Sequence, residues 1–461
     1  MGGNLLKTDN LTEGNVTRSL LFFALPLFGS SLIQQLYSTV DLVFVGQFLG
    51  TEASAAVGAS SLIITCLTGF FTGMSVGTSV FSARYFGGRQ WERLYRLIQT
   101  MFLVGIGGGS ILMLLGIGGA EWFLGAMGTP EDIMGQAALY LRVYMAGMVP
   151  VVLYNLLSGV IRALGDSRNP MIFQCVGGIL NILGDYVCIA VLDMGVEGTA
   201  VATVVSQAAA ALCAVIYLVR MRAPYALQLS KPGFYPGEFK NVLKVGVPAG
   251  VQSIVITLSN ILIQAQINTL GVTSIAAFTV YFRTEMILYL PILAMGQAVV
   301  SFVGQNYGAG KPERIRKGNR ICMLGGSAAI FAAGILLMLA APVFLHIFTK
   351  DAAVIARTVS IIRVTFPLYF LYVLLECLSG NLRGCGKAVA PMIVTVISFC
   401  GFRILFMLAA MHLHPSVRSV AWSYPVSWAL AVILMTLIAR KSRRQDRNVN
   451  SMRKDFRKSL E

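Results

Sequence analysis

Residues 157–162 of the chain read LSGVIR and residues 378–383 read LSGNLR, so Ser158 and Ser379 are separated by 379 − 158 = 221 positions. The same spacing relates further pairs along the chain: Gly87 and Gly308, Glu92-Arg93 and Glu313-Arg314, Arg142 and Arg363, Pro170 and Pro391. Near the amino end the spacing becomes 222, which pairs Pro26 with Pro248. A spacing kept over most of a chain indicates a duplication, whose two halves are expected to share one fold.

The composition places both halves in a membrane. The chain has 461 residues, of which 56% are hydrophobic and 12% are charged, and its mean hydropathy is +0.73. A soluble protein carries about 25% charged residues. Apolar runs of the ~20 residues that cross a bilayer recur throughout. We predict spans near 18–48, 53–83, 95–119, 135–158, 170–192, 197–220, 239–269, 274–304, 320–346, 353–380, 389–411 and 417–440.

Six spans in each half is an even number, so both halves begin on the same side of the membrane and form parallel repeats. The sequence therefore predicts an all-α membrane protein with twelve transmembrane helices in two parallel-repeat six-helix bundles around a central cleft. We expect the amino-terminal lobe at 1–220, a cytoplasmic linker at 221–238, the carboxyl-terminal lobe at 239–440 and a basic cytoplasmic tail at 441–461. One chain contains both lobes, so we expect it to work as a monomer.

The positive charge orients the chain. The formal net charge is +16, but Lys and Arg gather in alternate loops and in the tail after Arg440. This is the positive-inside pattern, which predicts a multi-pass protein of the cell (cytoplasmic) membrane with both termini in the cytoplasm. It argues against a nucleic-acid partner and leaves membrane lipids as the expected one, since basic segments attract anionic lipid headgroups.

Two carboxylates fall inside predicted helices of the first half. An Asp at the centre of a membrane helix costs about 2.5–3.5 kcal/mol, so one that is present suggests function. Asp41 on helix 1 and Asp185 on helix 5 lie at one depth with Asn181 and Thr203, and no Lys or Arg shares that depth. We predict that the two carboxyls, without a cationic partner, either have at least one raised pKa or hold a cation. The alternative is that the carboxyls serve helix packing.

Other intramembrane groups are candidates for a substrate cavity. Gln34 and Tyr37 share one helical face with Asp41, at positions i, i+3 and i+7. The predicted cavity residues are Gln34, Tyr37, Asn155, Glu285 and Glu376. Arg283 and Arg403 accompany the two glutamates, so structural ion pairing is an equal alternative there. Pro26 lacks a backbone donor, and we expect it to bend helix 1 in response to Asp41, or to form a fixed kink.

The sequence offers little for enzymatic chemistry. Its eight cysteines form no CxxC pair, and His412 and His414 alone make a weak metal signal, so no metal site is expected. No Ser/His/Asp group lies at a common depth, which disfavours an intramembrane enzyme.

Four segments resemble one family. LYSTVD at 36–41, IRALGD at 161–166, NILGD at 181–185 and FVGQNYGAG at 302–310 are similar to motifs of the MATE (multidrug and toxic compound extrusion) transporters, in the prokaryotic branch with a helix 1 aspartate. The resemblance implies export of amphipathic organic cations by antiport with H⁺ or Na⁺, through alternating access of two lobes and without another cofactor. It also implies coupling at Asp41, Asn181, Asp185 and Thr203. The rival is a lipid-linked saccharide flippase of related architecture, which would want a cationic cavity.

Overall fold

A computed structural model describes residues 10–458, with side chains to residue 441. Helices account for nearly all of the described chain, and no strand occurs in it. The helices are α1 Val16–Phe44, α2 Gly50–Gly87, α3 Trp91–Ala126, α4 Glu131–Ala146, α5 Met148–Ala163, α6 Arg168–Asp185, α7 Val196–Arg220, α8 Pro236–Asn268, α9 Val272–Gly308, α10 Pro312–Ile321, α11 Ser327–Phe344, α12 Ala352–Thr365, α13 Phe370–Gly384, α14 Val389–Thr395, α15 Arg403–Leu413 and α16 Val417–Lys458.

These helices form the twelve predicted membrane crossings. Nine apolar segments are long enough to cross a bilayer, and two bent pairs, α4 with α5 and α12 with α13, raise the number to eleven. The first segment, Val16–Gly87, has 72 residues. One straight helix of that length would measure about 108 Å at ~1.5 Å per residue, against a hydrocarbon core of about 30 Å. Gly50, at φ +86°, divides it into α1 and α2, which completes the twelve.

Large apolar side chains cover the outside of these helices. Leu114, Leu339 and Val343 have 67%, 69% and 78% of their surface exposed. A soluble protein rarely exposes such patches over a wide area. Exposed leucines along membrane-length helices are instead the surface that lipid tails contact.

The two bends occur at equivalent positions of the two halves. The axes of α4 and α5 meet at 48° across Gly147, and those of α12 and α13 meet at 46° after Phe366–Leu368. The sequence spacing relates these sites, since 147 + 221 = 368. A Cβ on Gly147 would lie 2.4 Å from Val204 Cγ2, so only glycine permits the close approach of α7. Each pair was predicted as one continuous helix, and the bend is an addition from tertiary packing.

Short π-helical turns follow the two helices that carry the intramembrane aspartates. Val45–Leu49 continues α1 after Asp41, and Tyr186–Val191 continues α6 directly after Asp185. A π-turn inserts a residue into the helical register, and such turns occur often at functional sites. Both aspartates therefore lie beside a local change of helix geometry.

The chain divides into two compact units. The first contains the chain up to Thr257 with Leu293–Gly318 and Gly384–Gly386, and the second contains Leu258–Ile292, Asn319–Arg383 and the chain from Lys387 onward. In the first unit α6 packs against α7 and α1, and α5 packs against α2 and α3. In the second unit α16 packs against α12 and α15. The predicted lobes, linker and tail stay predictions, and the end of the tail lies outside the described residues.

Candidate functional site

A polar cavity of about 630 Å³ lies within the first unit. Its lining includes five residues that the sequence analysis selected: Gln34, Tyr37, Asp41, Asn155 and Thr203. Serine and threonine hydroxyls, amides and tyrosines make up most of the remaining wall. Asp41 is the one carboxylate among the described lining residues, and Arg162 is the one guanidinium. Arg162 donates to Ser75 Oγ at 3.3 Å.

Asp41 joins this cavity to a buried polar group behind the wall. Its carboxyl interacts with the side chains of Asp185, Asn181 and Thr203. Asn181 and Asp185 have no exposed surface, and Thr203 has 8%. Asn181 Nδ2 donates to Thr203 Oγ1 at 3.4 Å. The structure thus brings together the four residues predicted to couple transport, with Asp41 between the cavity and Asp185.

The acceptors of this group outnumber its donors. Asp41 Oδ1, both carboxyl oxygens of Asp185 and Asn181 Oδ1 are buried and accept no hydrogen bond from the described residues. A buried acceptor without a partner costs about 1–3 kcal/mol, and more when it is charged. A proton between the two carboxyls would supply a donor, and Na⁺ would accept the same oxygens as ligands. The donor set therefore fits either coupling ion.

Tyr37 reveals two site residues that the sequence analysis missed. Its hydroxyl accepts from Gln174 Nε2 at 3.2 Å and from Gln207 Nε2 at 3.3 Å. Both glutamines line the cavity. A signal for them was present in the sequence: Gln174 lies seven residues before Asn181 on α6, and Gln207 lies four residues after Thr203 on α7. These spacings put each glutamine on the helical face of the coupling group.

Pro26 is buried within α1, two turns before Gln34. Its position inside the helix agrees with a kink, because the ring excludes one backbone hydrogen bond. A change of that bend with the state of Asp41 stays a prediction.

Glu285 and Glu376 belong to the second unit and do not line this cavity. Glu285 Oε1 accepts from Tyr369 Oη at 2.6 Å and from Tyr281 Oη at 3.3 Å. Glu376 is buried, with 8% of its surface exposed. Two tyrosine donors give the Glu285 carboxylate a local role in packing, and a role in substrate binding stays a prediction.

Arg403 in the second unit is buried, with 2% of its surface exposed. Its Nε donates to Ser427 Oγ at 2.8 Å. Its guanidinium carbon lies 3.8 Å from the ring centre of Phe399 and 5.0 Å from that of Tyr424. Aromatic faces stabilise a desolvated guanidinium. Arg403 therefore fills this aromatic pocket itself.

A duplicated all-helical membrane fold with a polar cavity and buried carboxyls defines a polytopic secondary transporter. The model of the MatE family matches the chain twice, over residues 26–187 and 248–408, and the chain belongs to this family. The two matches begin 248 − 26 = 222 and end 408 − 187 = 221 residues apart. This confirms the duplication and the resemblance seen in the sequence. The chain is accordingly a transporter and not an enzyme.

Relatives of the chain have names that refer to multidrug resistance or multidrug export. The chain is 27% identical to the probable multidrug resistance protein YpnP of Bacillus subtilis, over 87% of this chain and 90% of the relative. It is 22% identical to the multidrug export protein MepA of Staphylococcus aureus, over 92% and 93%. A crystal structure of MATE in the bent conformation superposes with a TM-score of 0.90 at 24% identity, over 97% of this chain and all of that one, which confirms the fold. Transporters of this family are ion-coupled antiporters.

Proposed function

We propose that the chain exports amphipathic organic cations across the cell membrane in exchange for inward-moving H⁺ or Na⁺. The multidrug names of its relatives support this substrate class. We further propose that both termini are cytoplasmic, as the loop charges predict, and that the chain works as a monomer. The cavity volume of about 630 Å³ suits a drug-sized ligand, since such sites measure roughly 300–1,000 Å³.

One observation carries the proposal for coupling: Asp41 lies on the cavity wall and also contacts the buried Asp185. An organic cation in the cavity is attracted to the Asp41 carboxylate. A proton or Na⁺ between Asp41 and Asp185 neutralises the same charge. Ion and substrate therefore compete for the Asp41 carboxylate, although the substrate binds in the cavity and the ion binds between Asp41 and Asp185.

This competition must act on a conformational equilibrium to produce transport. A ligand shifts such an equilibrium only when it binds one state more tightly than the other. Asp41 is on α1 and Asp185 is on α6, two helices that pack together. Binding of the ion favours one packing arrangement of these two helices, and we propose that the bend at Pro26 in α1 changes with it. Substrate release on the outer side follows loss of the Asp41 charge.

The charges of the cavity disfavour the saccharide flippase. A lipid-linked pyrophosphate requires several cationic side chains, whereas the described lining offers Arg162 alone, together with the Asp41 carboxylate. A promiscuous exporter of cations needs hydrogen-bonding capacity and a negative charge, and this wall supplies both.

The test compares charge removal inside the site with charge removal on the surface. Ethidium transport into inverted membrane vesicles is measured for Asp41→Asn and Asp185→Asn, beside Asp193→Asn, whose side chain is exposed. We expect both site variants to lose ion-dependent transport and the surface variant to keep it. Full ion-dependent transport by both site variants would show that the coupling group is elsewhere.

A further inference from the structure

The two sequence halves meet, within the first unit, at the ends of α2 and α9. A Cβ on Gly87 would lie 2.0 Å from the carbonyl oxygen of Gln305, and a Cβ on Gly308 would lie 2.0 Å from that of Arg84. The two contacts are equivalent, since 308 − 87 and 305 − 84 both equal 221. The backbones therefore cross in direct contact about a local two-fold axis. We call this end of the unit the basic face, defined by residues 10–14, 84–93, 238 and 305–314.

Two side chains repeat this reciprocity. Arg84 Nη2 donates to the backbone carbonyl of Cys385 at 3.0 Å. Its equivalent, Gln305, donates through Nε2 to the carbonyl of Ala163 at 2.8 Å. Each half thus donates a hydrogen bond to the end of the fourth membrane crossing of the other half. Equivalent residues of the two repeats therefore form the hydrogen bonds that join the halves at this point.

Residues of the first half also bind the beginning of α8, which is the first helix of the second half. Glu238, in the first turn of α8, is 7% exposed. Its carboxylate pairs with Arg93 Nε at 3.0 Å and accepts a hydrogen bond from Tyr85 Oη. Asn241 Nδ2 donates to the same carboxylate at 3.3 Å. A buried carboxylate with several donors fixes the beginning of α8 against α2 and α3.

An equivalent contact joins the second half to the segment that precedes α1 in the first half. Arg314 donates to three backbone carbonyls before that helix: those of Leu11 at 3.1 Å, Glu13 at 2.6 Å and Gly14 at 2.7 Å. Asn306 Nδ2 also donates to the Leu11 carbonyl, at 3.2 Å. Leu11 itself is fully buried. Arg314 and Asn306 are the equivalents of Arg93 and Tyr85, since 314 − 93 and 306 − 85 both equal 221.

We propose that these contacts are a pair of reciprocal latches that hold the basic face closed, and that both must release for substrate to enter from that side. The inference rests on the proposed function, because only a transporter that alternates between two sides needs this face to open. Arg93 and Arg314 are then positioning residues that touch no substrate. Each acts on the first helix of the opposite half, and in the case of α1 that helix carries Asp41.

The geometry explains why such a latch has two states. Backbones in contact through glycine cannot separate by small side-chain adjustments, so the crossing is either closed or open. Charge-assisted hydrogen bonds to carbonyls and to a buried carboxylate hold the closed state strongly but over a short range. A separation of a few ångströms therefore loses all of them together.

A reversible tether tests the latch at α1. Lys311 Nζ donates to the Thr12 carbonyl at 2.9 Å, so Thr12→Cys and Lys311→Cys are combined in proteoliposomes and joined by a reducible bifunctional thiol reagent that spans the length of the replaced lysine side chain. The control joins Glu121→Cys to Arg142→Cys with the same reagent, at an exposed ion pair of one half in which Arg142 Nη2 lies 2.8 Å from Glu121 Oε1. We expect the latch tether to slow ethidium efflux by about tenfold or more, because opening limits turnover, and reduction to restore it. Unchanged efflux through the tethered latch would overturn the proposal.

A second readout does not depend on any substrate. Thr72 lines the cavity, and Thr72→Cys is labelled from the basic face with a membrane-impermeant maleimide. We expect Arg314→Ala and Glu238→Gln each to speed labelling several-fold. Arg316 lies on α10 with Arg314 and forms an exposed ion pair with Glu313, so we expect Arg316→Ala to leave the labelling rate unchanged. Equal labelling rates in all variants contradict the latch. If wild-type protein exports no ethidium, the proposed function fails, and the labelling rates still decide the latch.

Discussion

The carboxyl of Asp41 on α1 contacts the carboxyl of Asp185 on α6, and Asp185 has no exposed surface. Two carboxylates in contact repel strongly when one of them is fully buried, because their interaction is weakly screened. One positive charge between them removes this repulsion. A packing role alone would be served by neutral residues, which supports our proposal that the pair gains and loses a cation in each cycle.

Thr203 is expected to set the affinity for that cation. It accepts from Asn181 and interacts with Asp41. Thr203→Val keeps the shape but removes the hydroxyl, so we expect efflux to need a higher concentration of the coupling ion. Thr203→Ser keeps the hydroxyl and is the control. Efflux is measured as a function of ion concentration, and the same half-saturating concentration in the two variants would contradict this role.

Tyr37 is expected to hold the cavity wall in shape. Tyr37→Phe removes the shared acceptor of Gln174 and Gln207. Two amide donors lose a partner, at about 1 kcal/mol for a typical hydrogen bond. We expect weaker ethidium binding with unchanged dependence on the ion, measured by fluorescence titration of purified protein. A shift in ion dependence instead would place Tyr37 in the coupling group.

In the second unit, Tyr369→Phe is expected to lower stability without changing coupling. It removes the 2.6 Å hydrogen bond to Glu285 and leaves a half-buried carboxylate with a weaker donor set. The expected loss is about 1–3 kcal/mol, seen as earlier thermal unfolding in detergent. Tyr95→Phe, which loses an exposed hydrogen bond, is the control. Lost ion dependence in Tyr369→Phe would move coupling toward Glu285.

Pro26→Ala is expected to slow transport while ion binding persists. Alanine restores a backbone hydrogen bond that proline excludes, so α1 becomes straighter and stiffer. We expect a lower maximal efflux rate at the same half-saturating ion concentration. Pro248→Ala, at the equivalent position of α8, is expected to change the rate less because α8 carries no coupling carboxylate. Equal rates for Pro26→Ala and wild type would support a fixed kink.

The sequence predicted the fold closely because hydrophobic length and duplication determine it. The first predicted span, 18–48, corresponds to α1 and its π-turn, which end at Leu49. The bends at Gly147 and after Phe366 were not predicted, because a neighbouring helix decides them. The contact of Gly147 with Val204 illustrates this, since apolar periodicity is the same in a straight and in a bent helix.

The candidate site was predicted in part. The cost of an intramembrane carboxylate singled out Asp41 and Asp185. Their mutual contact depends on how α1 packs against α6, and no spacing along one helix contains that information. Gln174 could not be singled out because its link to the site is a hydrogen bond to Tyr37 on another helix, which depends on tertiary packing.

The contacts of Arg314 could not be predicted because their partners are backbone carbonyls, which every sequence contains. The pair of Arg93 and Glu238 joins residues 145 positions apart on different helices, and no local pattern predicts it.

The most direct test of the account is ethidium efflux from proteoliposomes under a pH gradient or a sodium gradient imposed separately, with wild type beside Asp41→Asn. We predict that one of the two gradients drives efflux by the wild type and that Asp41→Asn abolishes this dependence. Efflux by Asp41→Asn at the wild-type rate under the same gradient would contradict coupling through the Asp41 and Asp185 carboxyls.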